Sequence, residues 1–311
     1  MKEFKTVKEQ INILKSRGLI IDNETEVSKI LEVENYYNLI NGYKELFIEK
    51  DNDLNEKFIE NTDFNEIYVL YLYDRNLRNI FMKYVLNIEN YLKTRIVYEF
   101  SSHYGHTDYL KQENFNNVDK YKIEAIDKLI NDINLDIENQ KLNGKDMLVH
   151  YSNNHKYIPL WVLSIIITFG KLSKFYQLMK NKQQCAISKN YNLNPYVIIT
   201  YMKSLTIVRN LCAHAERLYN IRLKSKIHDD DIHKKLNLMK NASGNFVQGN
   251  NDLFSIVIIL KKLLSKEEFE IFFRELTIET DIIISKIDKS DSKQLLKAMG
   301  FPKNYKDILN Y

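Results

Sequence analysis

"FNEIYVLYLYDRNLRNIFMKYVLNIENYLKTRIVYEFSSHYG", residues Phe64–Gly105, is the longest periodic stretch of the chain. Phe64, Ile67, Tyr68, Tyr71, Leu77, Phe81, Tyr84, Val85, Ile88, Tyr91, Leu92 and Ile96 recur at helical spacing, with no Gly or Pro before Gly105. A period near 3.6 in place of 2 predicts an amphipathic helix. Its length is roughly 35–40 residues, some 50–60 Å at 1.5 Å per residue. An element of that length organises whatever packs around it.

On either side the same reasoning predicts more helices. Residues 5–17 and 24–47 read as helical, with Gly18 and the polar IDNET between them, and the polar stretch 50–63 reads as a loop. Residues 118–140 form another amphipathic segment. Pro159 opens a very apolar helix, and Pro195 opens the next, which runs to about Leu223. The stretch KNASGNFVQGNND, residues 240–252, is the best linker candidate; two or three helices follow it, over Leu253–Leu264, Lys266–Ile287 and a short terminal segment. The expected fold class is all-α. The organisation read from the chain is an N-terminal helical region (1–60), a helical core (61–225) and a C-terminal helical extension (226–311).

Composition agrees. Among 311 residues only 8 are Gly and 3 Pro, too few breakers for a turn-rich β fold. The net charge of +4 permits a basic groove for nucleic acid without demanding one. Two cysteines, Cys185 and Cys212, make neither a disulfide framework nor a zinc spacing. The charged start MKEFKTVKEQ lacks a signal-peptide core, and the longest apolar runs fall short of the ~20 residues that cross a bilayer. The expectation is a cytoplasmic protein with no membrane partner.

One predicted helix carries a conspicuous polar insertion. "RNLCAH", Arg209–His214, sits beside Leu205, Ile207 and Val208. Polar groups on an apolar helix are costly unless partners satisfy them or chemistry uses them. Asn210 and His214 are four apart and share a face, which Arg217 extends by three residues; Arg209 lies about 100° round. One imidazole, two guanidinium groups and an amide suit RNA cleavage. An imidazole, ordinarily titrating near pH 6.5, can take or give a proton at neutral pH. A ribose 2′-OH needs a base and the departing 5′ oxygen an acid. A guanidinium fork holds the phosphate and stabilises charge growing on the phosphorane. This chemistry calls for no metal and no other cofactor. The alternative for the same residues is structural: a His and an Arg capping buried carbonyls.

The surrounding segment, "SLTIVRNLCAHAERLYNIRL" (204–223), resembles the signature of the Abi-2 family of bacterial abortive-infection proteins, of the AbiD/AbiF type. Three more segments agree in order: "LEVENYYNLINGYKELF" (31–47), with an aromatic pair before Gly-Tyr; "YDRNLRNIFMKYVLNIENYLKTRIVYEFSSHYG" (73–105); and "PLWVLSIIITFGKLSKFYQLM" (159–179). The resemblance covers about residues 25–225. It implies a HEPN-type helical bundle with additional N- and C-terminal helices, and Arg209, Asn210 and His214 as a metal-independent endoribonuclease motif. It also implies an RNA substrate, a homodimer whose two motifs face each other, and a toxin of a phage-defence system that a small structured noncoding RNA can hold inactive. Asn38 departs from the basic residue common there, and residues 226–311 lie outside the match. A noncatalytic RNA-binding module of the same fold is the rival reading, a protein-interaction scaffold a third.

Further candidates are weaker. Arg217, Arg95, Arg78, Tyr36 and Tyr37 could bind RNA, the arginines through phosphate and the tyrosines, together with Tyr43, by stacking on bases. At their spacings the tyrosines also read as core, and Glu89, Arg95 and Arg78 as structural ion pairs, with Glu89 or Arg95 able to reach the motif helix. "HDDDIH", His228–His233, reads as a charged solvated turn in preference to a metal site. The same holds for His103/His106 and His150/His155. The lysines of KKLNLMK (234–240) and IILKKLLSK (258–266) could add to an RNA-binding surface, though each alone is an ordinary solvated face.

Overall fold

A computed structural model describes residues 3–49, 56–287 and 289–311. In chain order the helices are α1 (Val7–Ser16), α2 (Glu24–Val33), α3 (Phe64–Tyr104), α4 (Lys120–Leu142), α5 (Asp146–His150), α6 (Leu160–Leu163), α7 (Phe169–Leu178), α8 (Asn181–Lys189), α9 (Pro195–Ala213), α10 (Asp231–Lys235), α11 (Leu253–Leu263), α12 (Lys266–Lys286) and α13 (Lys289–Met299). Short 3₁₀ and π turns join them, and the described residues contain no β-strand, only isolated bridges. The fold is all-α.

The 41-residue α3 is its axis, about 60 Å long. A capping box at Asp63 and Glu66 starts it, and Gly105 at φ 86° ends it. Apolar side chains from Phe64 to Phe100 are buried on more than one side, because α9 and α12 both pack against it. α12 runs antiparallel to α3. Tyr91, Lys83 and Asn76 bond Glu268, Glu275 and Glu279 in turn, and the Tyr73 hydroxyl lies 3.0 Å from Thr280 Oγ1. On the other side Glu89 meets Arg209 and Asp74 meets Leu218. Helices α7 and α8 then cover α9, and α4 covers α7. The buried side chains, from Ile11 to Ile308, form one cluster.

Four expectations need correction. The helix expected over 24–47 stops at Val33, and Glu34 is extended at ψ 130°. Asn35 Oδ1 there accepts from Tyr37 N and Asn38 N, a local bond that competes with the helix, and a π-turn over Tyr37–Asn41 follows. The apolar run after Pro159 breaks between α6 and α7. Ile165, Ile166 and Ile167 are β-branched, and Thr168 caps α7 by accepting from Lys171 N at 3.3 Å. The helix expected to reach Leu223 ends at Ala213. The expected linker 240–252 is a packed turn. Phe246, Asn250 and Asp252 are buried, Asn250 donates to Phe246 O, and Asp252 caps α11. Gly300, at φ 75°, lies so close over Asp252 that an added Cβ would sit 2.0 Å from its Cγ. Of the loop expected over 50–63, residues 50–55 lie outside the described residues, and 56–63 contain no helix.

Candidate active site

Asn194 and Pro195 start α9, which buries Ile198, Tyr201, Met202, Leu205 and Val208. The opposite side leaves Ile207 and Asn210 exposed and Arg209 partly so. The polar insertion therefore lies along the edge of the apolar stripe, where solvent reaches it. His214 is the C-cap, exposed, with its N–H donating to Asn210 O at 3.0 Å.

The turn that halts the helix explains why no stop signal was visible. Glu216 N donates to Leu211 O at 2.9 Å and Ala215 N to Cys212 O at 3.4 Å, the paired bonds of a Schellman turn. Its left-handed position holds Ala215 at φ 56°, where Gly is usual. An L-residue there costs about 1–2 kcal/mol. Such strain persists where the surroundings enforce it, commonly at functional sites. Ala215→Gly is expected to raise unfolding stability by about 1 kcal/mol in urea melts, less the added freedom of the unfolded chain. A loss of stability would mean that Ala215 makes contacts that outweigh its backbone strain.

What enforces the turn is a polar cluster on α3. The buried Asp74 carboxylate receives four donors: the Tyr43 hydroxyl at 2.6 Å, Arg78 Nη1 at 2.5 Å, Leu218 N at 3.1 Å and Tyr219 N at 2.7 Å. Arg78 Nη1 also donates to Tyr43 Oη at 3.1 Å and to Glu216 O at 3.4 Å. Burial, reinforced by the Asp74 charge, pushes the Tyr43 phenol far above its ordinary value, so it stays a donor. Arg217 turns away from the His214 face and donates to Gly42 O at 2.7 Å. The segment just after His214 is thus tied to α3 and to the Gly42–Tyr43 turn.

A second acid of α3, Glu89, meets the motif itself. Glu89 Oε2 lies 3.9 Å from Arg209 Nε; both atoms are buried and neither has a hydrogen-bond partner. Glu89 Oε1 is 3.7 Å from Lys93 Nζ. The arginine side chain is 37% exposed overall although Nε is buried, which leaves the far end of its guanidinium on the solvent side. Cys212, within the motif, is not a nucleophile: burial pushes its thiol up to about 12.

Arg209, Asn210 and His214 thus share the last turns of one helix. The other candidates lie elsewhere or do other work. Arg78 is a buried structural cation, not a surface one. Arg217 does not extend the Asn210–His214 face, because α9 has already ended. Arg95 lines a shallow cleft with Tyr91, Asn190 and Tyr191. Tyr36, partly buried, and Tyr37, 71% exposed, line a hollow beside Val7, Gln10 and Glu34.

HDDDIH is not a solvated turn throughout. His233 is buried and stacked on Phe246, its Nδ1 accepting from Asp230 N at 3.0 Å and its Nε2 2.7 Å from Gly249 O. Both nitrogens are committed to backbone. Among the described residues no three His, Cys, Asp or Glu side chains group as a metal site would require. Arg222 and His228 make an Arg-x5-His spacing, one residue longer than the Arg-x4-His of Arg209 and His214, but outside any helix: Arg222 donates to Ala298 O at 2.9 Å and His228 packs on Tyr196. Sequence reasoning missed Asp74, and it read Tyr43 as a base-stacking or core residue, not as the partner of a buried carboxylate. The available signal was the i, i+4 pair Asp74–Arg78 inside an apolar stripe.

Among the described residues no helix is long and apolar enough to cross a membrane. Comparison with curated proteins and with solved structures returns no match. A family profile described as Abi-like protein does match, over residues 29–220, from within α2 to just past the loop that Asp74 holds. The chain belongs to the Abi-2 family of Abi-like proteins, and that membership points to a role in abortive infection.

Proposed function

We propose that this protein is a HEPN-type endoribonuclease that cuts RNA without a metal ion and acts as the toxin of a phage-defence system. The observation that carries the reading is the exposed His214 at the end of α9. One turn before it stands an Arg209 whose Nε faces Glu89. A site meant only to hold phosphate needs no titratable ring; a site for transesterification does.

The chemistry follows from the groups present. His214 removes the proton of a ribose 2′-OH. The 2′ oxygen attacks phosphorus, the bond to the 5′ oxygen breaks, and that oxygen leaves with a proton, giving a 2′,3′-cyclic phosphate and a 5′-OH. Arg209 stabilises the charge on the phosphorane, and Asn210 orients the phosphate or the 2′-OH. One imidazole cannot be base and acid at once. A two-fold homodimer with its motifs face to face supplies the second, and a small structured RNA lying across that basic groove would block substrate as an antitoxin. The bound strand would account for the rival, noncatalytic reading if His214 proved dispensable.

Because His and Arg carry the reaction, cleavage by purified protein is expected to persist in excess EDTA. Activity lost on chelation and restored by Mg²⁺ or Mn²⁺ would overturn the metal-free assignment.

A further inference from the structure

Two separate lysine runs meet in the C-terminal region, outside the span the family profile matches. Lys235, in the last turn of α10, Lys261 and Lys262, in the last turn of α11, and Lys266, the first residue of α12, line one cleft of about 460 Å³. That volume falls in the range of small-ligand sites. Tyr311, 45% exposed, forms part of the wall.

Helix dipoles explain only part of this. Lys261 and Lys262 complement the carbonyl end of α11, and Lys262 is paired with Asp230 at 2.9 Å. Lys266, by contrast, stands at the amino end of α12, where the dipole disfavours a cation, with Glu270 no nearer than 4.0 Å. Lys235 and Lys261 have no carboxylate within ion-pair distance among the described residues. They sit over aromatic rings instead, Lys235 at 5.6 Å from the Tyr311 centroid and Lys261 at 4.7 Å from that of Phe269. Asp231 and Glu270 also line the cleft; with Lys262 held by Asp230, three lysines stand against these two acids. Lys261 bears the consequence: desolvation first, then the charges of Lys262, Lys235 and Lys266, hold its ammonium below the ordinary lysine value. An anion in the cleft would offset the repulsion among these lysines.

We infer that this cleft is a binding site for the phosphate of a nucleotide unit, with Lys235, Lys261 and Lys266 on the phosphate and Tyr311 available to stack on the base. Stacking on an aromatic ring accepts any base, so the site is selective for phosphate and not for sequence. The phosphate can come from a free nucleotide or from an RNA strand. The site does not depend on cleavage at His214, and its success or failure is separate from that of the ribonuclease reading.

The test uses the full-length protein and two probes that it cannot cut at a 2′-OH. These are ATP, and a 5′-phosphorylated, fully 2′-O-methylated RNA decamer. The Lys235→Gln/Lys261→Gln/Lys266→Gln variant is compared with wild type by titration at several salt concentrations. The milder Lys235→Gln/Lys266→Gln variant, altered only at exposed positions, guards against a folding defect. The triple variant is expected to bind at least tenfold more weakly. For the decamer, its dependence of log K on log salt should be shallower by about 0.7, the contribution of one phosphate contact on a single strand, since the three lysines hold one phosphate. An effect on ATP alone assigns a free nucleotide, and an effect on the decamer alone assigns a strand. Unchanged affinity and salt dependence in both variants, or no binding of either probe to wild type, overturns the site.

Discussion

His214→Ala is expected to cut RNA cleavage by roughly 10²–10⁴-fold, the usual contribution of a positioned acid or base. In cells it should abolish growth toxicity. The fold should survive, because the side chain is exposed and sits on the C-cap, where its backbone N–H makes the last helical bond whatever the residue. Surface changes of this kind usually stay within about 0.5 kcal/mol. The comparison therefore needs two readouts on one preparation: rate on a labelled RNA and unfolding midpoint in urea. An unchanged melt with lost cleavage assigns the proton transfer to His214. Full cleavage by the variant removes that assignment and favours the binding-module reading.

Asp74→Ala is expected to be the most damaging single change to the scaffold of the site. Removing one member of a buried ion pair leaves the other charge uncompensated, typically at a cost of about 3–5 kcal/mol. Here the loss would strand Arg78 and also orphan the Tyr43 hydroxyl and the N–H groups of Leu218 and Tyr219. The same substitution frees the segment after the Ala215 turn. Any variant protein that still folds should then cleave more slowly than wild type while His214 and Arg209 are both present. Urea melts check the first effect and the cleavage rate the second. A loss below about 1 kcal/mol would mean that Asp74 is not the anchor the geometry makes it.

The long helix was legible because periodicity over 41 residues cannot be mistaken for a strand, and α3 follows the expected span closely. The motif residues were legible as types at a spacing. Their environment was not. An Arg beside an apolar stripe reads the same whether it faces Glu89 from the surface, as Arg209 does, or lies under a loop, as Arg78 does. Helix ends failed for a physical reason in each case. At Ala215 the left-handed turn uses a residue with no turn preference, because tertiary bonds to Asp74 enforce it. At Asn35 and Thr168 a short polar side chain captures backbone N–H groups, which propensity alone does not foresee. His233 was hidden by its neighbours: three aspartates in HDDDIH suggest solvent, yet its ring packs on Phe246, beyond the reach of a local reading.

The most direct measurement of the central claim is the chemistry of the RNA ends left by purified wild-type protein in EDTA, with His214→Ala run alongside. Base catalysis on the 2′-OH leaves 2′,3′-cyclic phosphate and 5′-OH termini, and a substrate 2′-O-methylated at the cut position should resist. The expected result is those ends from wild type and none from the variant. Ends bearing 5′-phosphate and 3′-OH, cleavage of the methylated substrate, or the same cuts from His214→Ala would contradict it.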